Sequence, residues 1–286
     1  MRVLNLLRNL LSALVLLPLL WSACWAQNAG RAALDDTVPG KAFTYLRLVE
    51  QVIPNLVPTG SGDYRSDTFT GVDAIGGEGS GGEPPESTSL SSVSTLDVRS
   101  AGRNRLLLLI DLGSSSDSAE GYAVLALYDL VGEPRLLDAT NVALDRSTWF
   151  REPARLAVSA DDDVVMTSST HFNSSQGYSI TLMITVRDDQ IQLIDTIYTF
   201  DENLRDYKRS QNLAFQAIPE AEPYAAIRAT VTETTEPAEE PCGDAPVPAP
   251  STREIAVTYR WDQAAGRFVA DSDAFEKLSA ENEERF

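Results

Sequence analysis

His171 is the only histidine among 286 residues, so any serine or cysteine nucleophile that needs an imidazole base must use it. Acyl-transfer chemistry also needs an exposed nucleophile and an orienting acid. Ser168, Ser169, Ser174 and Ser175 lie close in sequence, but no Gly-x-Ser-x-Gly elbow occurs anywhere in the chain. The residue types around His171 suit recognition better. Residues 170–176 combine an imidazole, the Phe172 ring, the amides of Asn173 and Gln176, and the hydroxyls of Thr170, Ser174 and Ser175. Groups of this kind on a loop held by a rigid sheet are placed to touch a ligand. His171, Phe172 and Asn173 are therefore the candidate binding residues, with Trp149 as a candidate neighbour, and no catalytic set is assigned. Asn173-Ser174-Ser175 is also a glycosylation triplet, relevant only in a eukaryotic secretory pathway.

Metal and cofactor chemistry has little support. One His and two Cys cannot supply the four ligands of a zinc finger or ribbon. The run Asp161-Asp162-Asp163 lacks the spaced oxygen donors of a calcium loop and is expected to be a solvated hairpin turn. Residues 110–117 are similar to the first phosphate loop of actin-like ATPases. They are also similar to the Asp-x-Ser-x-Ser metal site of von Willebrand A domains, with Gly113 in place of the first Ser. Neither similarity extends: no second Asp-Gly-rich phosphate loop follows, and no helix directly follows the Ser run. The stretch is expected to be a strand ending in a Ser-rich loop, and no metal or cofactor is assigned. The 42 acidic residues permit paired carboxylates for glycoside hydrolysis, a chemistry decided by their separation in space.

The charge balance narrows the partners. The chain carries 23 basic and 42 acidic residues, a net charge of −19. Such a surface repels phosphate polyanions and anionic membranes, so no nucleic acid is expected. Residues 1–26 have the pattern of a secretory signal peptide. Arg2 and Arg8 form a positive start, residues 10–20 an apolar core broken by Pro18, and Cys24 and Ala26 are small residues ahead of a cleavage before Gln27. Processing would remove two Arg and no acids, leaving −21. It would leave no stable transmembrane segment. Ser22-Ala23-Cys24 also admits a lipid anchor on Cys24. Cys242 would be the one remaining thiol, so no internal disulfide is possible after cleavage.

The elements that must carry these groups are mostly strands. Residues 105–111 and 122–128 are apolar runs too short for typical helices; 178–186, 191–198 and 255–261 are rich in β-branched residues or alternate. Asp188-Asp189 and the segment closed by Gly266 are expected hairpin turns. Helices are expected only at the ends: 43–52, stopped by Pro54, and a C-terminal one beginning with an Asp273/Glu276 capping box. Residues 76–94 and 233–252, rich in Gly, Ser, Pro and Glu, are expected to be disordered loops. The segment 121–138 can be laid on 177–195 at an offset of 56 to 57 residues, and a weaker copy runs from Ile255 to Asp271. Two further strand-like runs precede each copy: 93–99 and 105–112, then 155–159 and 164–170, then 212–218 and 224–232.

The expected fold is all-β: repeated four-stranded antiparallel meanders, propeller-like or alternatively a sandwich, with short N- and C-terminal helices. Residues 27–286 would form a single β-rich domain. The expected function is a non-enzymatic periplasmic or secreted binding or interaction module for a protein or saccharide. The alternative is a hydrolase of envelope or extracellular polysaccharide that uses paired carboxylates.

Overall fold

The computed structural model describes residues 29–69, 71–77, 82–114, 120–220, 223–238 and 247–285. The expected signal peptide with Cys24, and Cys242, lie outside them. The described chain is nearly all β, in three antiparallel sheets with two short helices. None of its helices is long and apolar enough to cross a membrane.

The first sheet has the order β1-β5-β6-β7-β8: β1 (Gly30–Ala33), β5 (Ser92–Ser100), β6 (Arg103–Ser114), β7 (Gly121–Asp129) and β8 (Arg135–Asn141). Residues 106–110 of β6 and 122–128 of β7 are apolar without interruption because both faces are covered. Leu106, Leu108 and Ile110 of β6, with Tyr122, Val124 and Ala126 of β7, pack under the N-terminal segment. That segment contains α1 (Tyr45–Val49) and a small sheet of β2 (Val57–Pro58), β3 (Tyr64–Ser66) and β4 (Thr88–Leu90). On the opposite face, Leu107, Leu109, Ala123, Leu125 and Leu127 meet Phe150, Val165, Leu182, Ile184 and Val186 of the next layer.

The second sheet is an eight-stranded meander in chain order. Its first half is β9 (Ser147–Ala157), β10 (Asp163–Phe172), β11 (Gln176–Arg187) and β12 (Gln190–Asn203). Its second half is β13 (Tyr207–Ile218), β14 (Ala226–Pro237), β15 (Ser251–Asp262) and β16 (Arg267–Ala270), followed by α2 (Ala274–Glu283). The halves meet across a third apolar cluster. Val164, Met166, Met183 and Ile197 come from the first half; Leu213, Ile227, Ala229, Val231, Val257 and Tyr259 come from the second, with Phe275 and Leu278 of α2. β14 alternates buried and more exposed residues, as a strand with one covered face must.

All three expected meanders are therefore present as strands, but not as three separate sheets: the second and third are joined through β12 and β13. That junction has two residue pairs, Glu202↔Arg209 and Asn203↔Lys208, against twelve between β13 and β14. Beyond it the strands diverge and side chains replace the backbone ladder. Gln211 Oε1 accepts the amide of Phe200 at 2.8 Å, and Asp201 Oδ1 accepts the amide of Gln211 at 2.8 Å.

Five local expectations are corrected. Thr88–Leu90 and the start of β5 are strand within the presumed loop 76–94. Glu233–Pro237 close β14, and Ser251 opens β15, within the presumed loop 233–252. The N-terminal helix is only one turn and a half, Tyr45–Val49, with turns from there to Pro54. The capping box does not form: Asp273, with φ −94° and ψ 23°, is outside the extended geometry of a capping residue and pairs with Lys277 at 2.8 Å instead. The acidic turn is not solvated throughout. Asp162 and Asp163 are buried, accepting the amides of Ala101 and Arg99 and fastening the first meander to the second. The Asp188-Asp189 and Gly266 turns stand as expected, with positive φ at all three residues.

Candidate functional site

The β12–β13 divergence opens a cleft of about 430 Å³. Three elements line it: residues 172–177 around the β10–β11 turn, the end of β12 at Asp201, Glu202 and Asn203, and the start of β13 at Lys208, Arg209, Ser210 and Asn212. Strand register explains which side chains meet there. Phe172 pairs with Gly177, Gly177 with Asp201, and Asn203 with Lys208. Paired residues share a face and residues two apart along a strand share it too. Phe172, Gly177, Asp201, Asn203 and Lys208 therefore belong to one face, and Ser210 and Asn212 continue it along β13.

Phe172 is 66% exposed at the end of β10. Its ring lies against Gly177, where an added Cβ would stand 2.1 Å from a ring carbon. The missing side chain of Gly177 leaves room for the ring to rest against the strand while most of it stays in water. Asn173 closes the turn beneath it. Its Oδ1 accepts the amides of Ser175 at 3.0 Å and Gln176 at 2.8 Å, the local bonding that Asn favours in turns. Gln176 is anchored to the C-terminal segment, donating to the carbonyl of Arg285 at 3.1 Å.

The charged residues of the cleft are unequally engaged. Glu202 is buried and accepts hydrogen bonds from Arg209 and, at 3.2 Å, from the Tyr207 hydroxyl. Asp201 accepts the Gln211 amide with one oxygen. Among the described residues, the side chains of Asn203, Lys208 and Asn212 have no hydrogen-bond or ion-pair partner.

The four residues singled out from sequence are divided by the sheet. Phe172 and Asn173 line the cleft. Trp149, 39% exposed, pairs with Ser168 and so lies on the Phe172 face, four residues back along β10. His171 is on the other face. Its ring stacks on Tyr178 with centroids 5.5 Å apart and planes 12° apart, and Tyr178 meets Tyr198 at 5.3 Å. His171 Nδ1 donates to the buried carboxylate of Asp145 at 3.3 Å, and the Tyr178 hydroxyl donates to its second oxygen at 2.5 Å. Burial, reinforced by that carboxylate, pushes the Tyr178 phenol well up. No hydroxyl nucleophile is bonded to His171 among the described residues. Asn203, Lys208 and Asn212 were missed because residues 201–203 and 208–212 are all polar. The apolar alternation of β12 ends at Phe200 and that of β13 begins at Leu213, so the pattern hides the ends of both strands.

Elsewhere, Asp161, Asp162 and Glu220 line a second cleft of about 330 Å³. Asp162 accepts the Tyr224 hydroxyl at 2.7 Å, and Glu220 pairs with Arg260 at 3.2 Å. Among the described residues no three His, Cys, Asp or Glu side chains are grouped to hold a metal ion. Asp111 accepts the amide of Gly113 at 3.1 Å, and the next described element is antiparallel β7, so no helix follows that segment among the described residues. No family model matches the chain, and neither a curated protein nor a solved structure does.

Proposed function

We propose that this chain is an exported, non-enzymatic binding module whose ligand sits in the β12–β13 cleft against the Phe172 ring. The observation that carries this reading is the ring itself. A large apolar side chain that rests against a glycine and is 66% exposed gains nothing for the fold from that exposure and is placed for contact. Beside it the side chains of Asn203, Lys208 and Asn212 are uncommitted, as a site awaiting a ligand requires.

The polysaccharide-hydrolase alternative needs two facing carboxylates, one protonated to act as acid. Asp201 and Glu202 are successive residues on one strand and point to opposite faces. Glu202 is also buried and already bonded to Arg209 and the Tyr207 hydroxyl.

Immobilised mature protein, incubated with envelope polysaccharide and protein fractions, tests the site. Phe172→Ala should lower capture about tenfold, the loss of one aromatic contact. His171→Ala, on the opposite face, should leave it unchanged. Equal capture by the Phe172 variant and wild type would remove the site. Intact mass of the exported chain tests the export reading: a start at Gln27 is expected. A diacylglyceryl group on Cys24 would make it a periplasm-facing or cell-surface lipoprotein, and an uncleaved chain would sink export by this leader.

A further inference from the structure

We infer that the ligand of this cleft is an uncharged oligosaccharide, one of whose pyranose rings lies on Phe172; this rests on the cleft being a binding site. A pyranose presents an apolar face of C–H groups and a rim of hydroxyls that both donate and accept. The cleft matches both parts. Phe172 offers a largely exposed aromatic ring resting against Gly177. Beside it on the same face, Lys208 can only donate, Asp201 can only accept, and Asn203 and Asn212 can do both. A rim of hydroxyls uses such a mixture; a purely apolar or purely ionic ligand would leave part of it unpaired, which costs affinity.

Charge argues for a neutral sugar over an acidic one. Lys208 shares its face with Asp201, and the whole chain is at −19. A uronate or phosphate would therefore meet one cation, one carboxylate and a repulsive long-range field. The volume, about 430 Å³, is at the lower end for small-ligand sites and suits one or two sugar rings.

The test is calorimetric titration of the full mature chain with cellohexaose, maltohexaose, chitohexaose and, as the acidic arm, hexagalacturonate. Binding of at least one neutral hexasaccharide is expected, weakened about tenfold in Phe172→Ala and again in the double variant Asn203→Ala/Asn212→Ala. Because Phe172→Ala exposes Gly177, circular dichroism must show each variant folded, and the double variant supplies the independent reading. If hexagalacturonate binds as well as any neutral sugar, in a Phe172-dependent way, the neutral class is overturned and the cleft stands. If no probe binds below about 1 mM, or binding ignores both variants, the saccharide assignment is overturned; should Phe172-dependent capture of envelope material also fail, the cleft falls with it.

Discussion

Two glycines carry opposite kinds of constraint, and the difference lies in what each would strike. A Cβ at Gly177 meets the Phe172 ring, the far end of a side chain that can swing into water. Gly177 is buried, but the atoms in the way can move, so Gly177→Ala should cost only about 1 kcal/mol while displacing the ring and weakening ligand capture. A Cβ at Gly121 stands 2.0 Å from the carbonyl oxygen of Asp145, which is backbone and cannot rotate away. Gly121→Ala should cost about 3 kcal/mol through overpacking. Thermal melts of both variants check the contrast; a large loss at Gly177 would mean that the Phe172 ring is part of the core. His171 belongs to the structural side of this division. Its partners are a buried carboxylate and a stacked phenol, which makes it a fastener of the 145–147 segment.

At the scale of elements, α2 is docked as much by polar bonds as by Phe275 and Leu278. Gln211 donates to Glu233 and Asn282 at 2.7 and 2.8 Å, and Asn282 returns a bond to Gln211 at 2.9 Å. Glu233 also accepts from Arg253 at 2.8 Å and Arg285 at 2.9 Å. Burial alone would raise the Glu233 carboxyl, but the bonds from Arg253, Gln211 and Arg285 outweigh it and hold the group at about 2, against an ordinary 4.5. The sign follows from this depression. The unfolded chain takes up the proton first as pH falls, so the stabilisation is full above pH 4.5 and is lost toward pH 2. Denaturant melts should therefore show wild type more stable than Glu233→Gln at pH 6, with the gap closing between those two values. A gap independent of pH would mean that Glu233 acts through shape rather than charge. The same strand ends explain the cleft: where β12 and β13 part, Gln211 and Asp201 satisfy the amides that a ladder would otherwise pair, so the opening leaves these two donors bonded.

Across the whole molecule, the first and second meanders are locked by Arg105. Its side chain is 1% exposed, binds Asp189 through two bonds of 2.8 and 2.9 Å, and lies 3.2 Å from Asp129. Arg105 therefore draws the Asp189 carboxyl below its usual range. Asp189 is in the β11–β12 turn and Asp129 ends β7, so one guanidinium spans two sheets. Removing one partner of a buried ion pair strands the other charge, and Arg105→Ala should cost about 3 kcal/mol. Urea denaturation measures it; a loss below about 1 kcal/mol would mean that water reaches the site.

The sequence by itself determined the all-β class, the terminal helices, the acidic character, two of the hairpin turns and the three strand groups. These depend on local pattern: β-branched runs, period-two alternation and residues that tolerate positive φ. It also marked Phe172 and Asn173 as residues of interest from their types alone. Only the tertiary structure decided that His171 turns away from Phe172, because neighbouring residues on a strand face opposite ways once register is set. Only it joined the second and third meanders through two residue pairs and brought Asn203, Lys208 and Asn212 beside the ring. Those residues sit on polar strand ends whose pairing depends on partners far along the chain, and no local pattern carries that information.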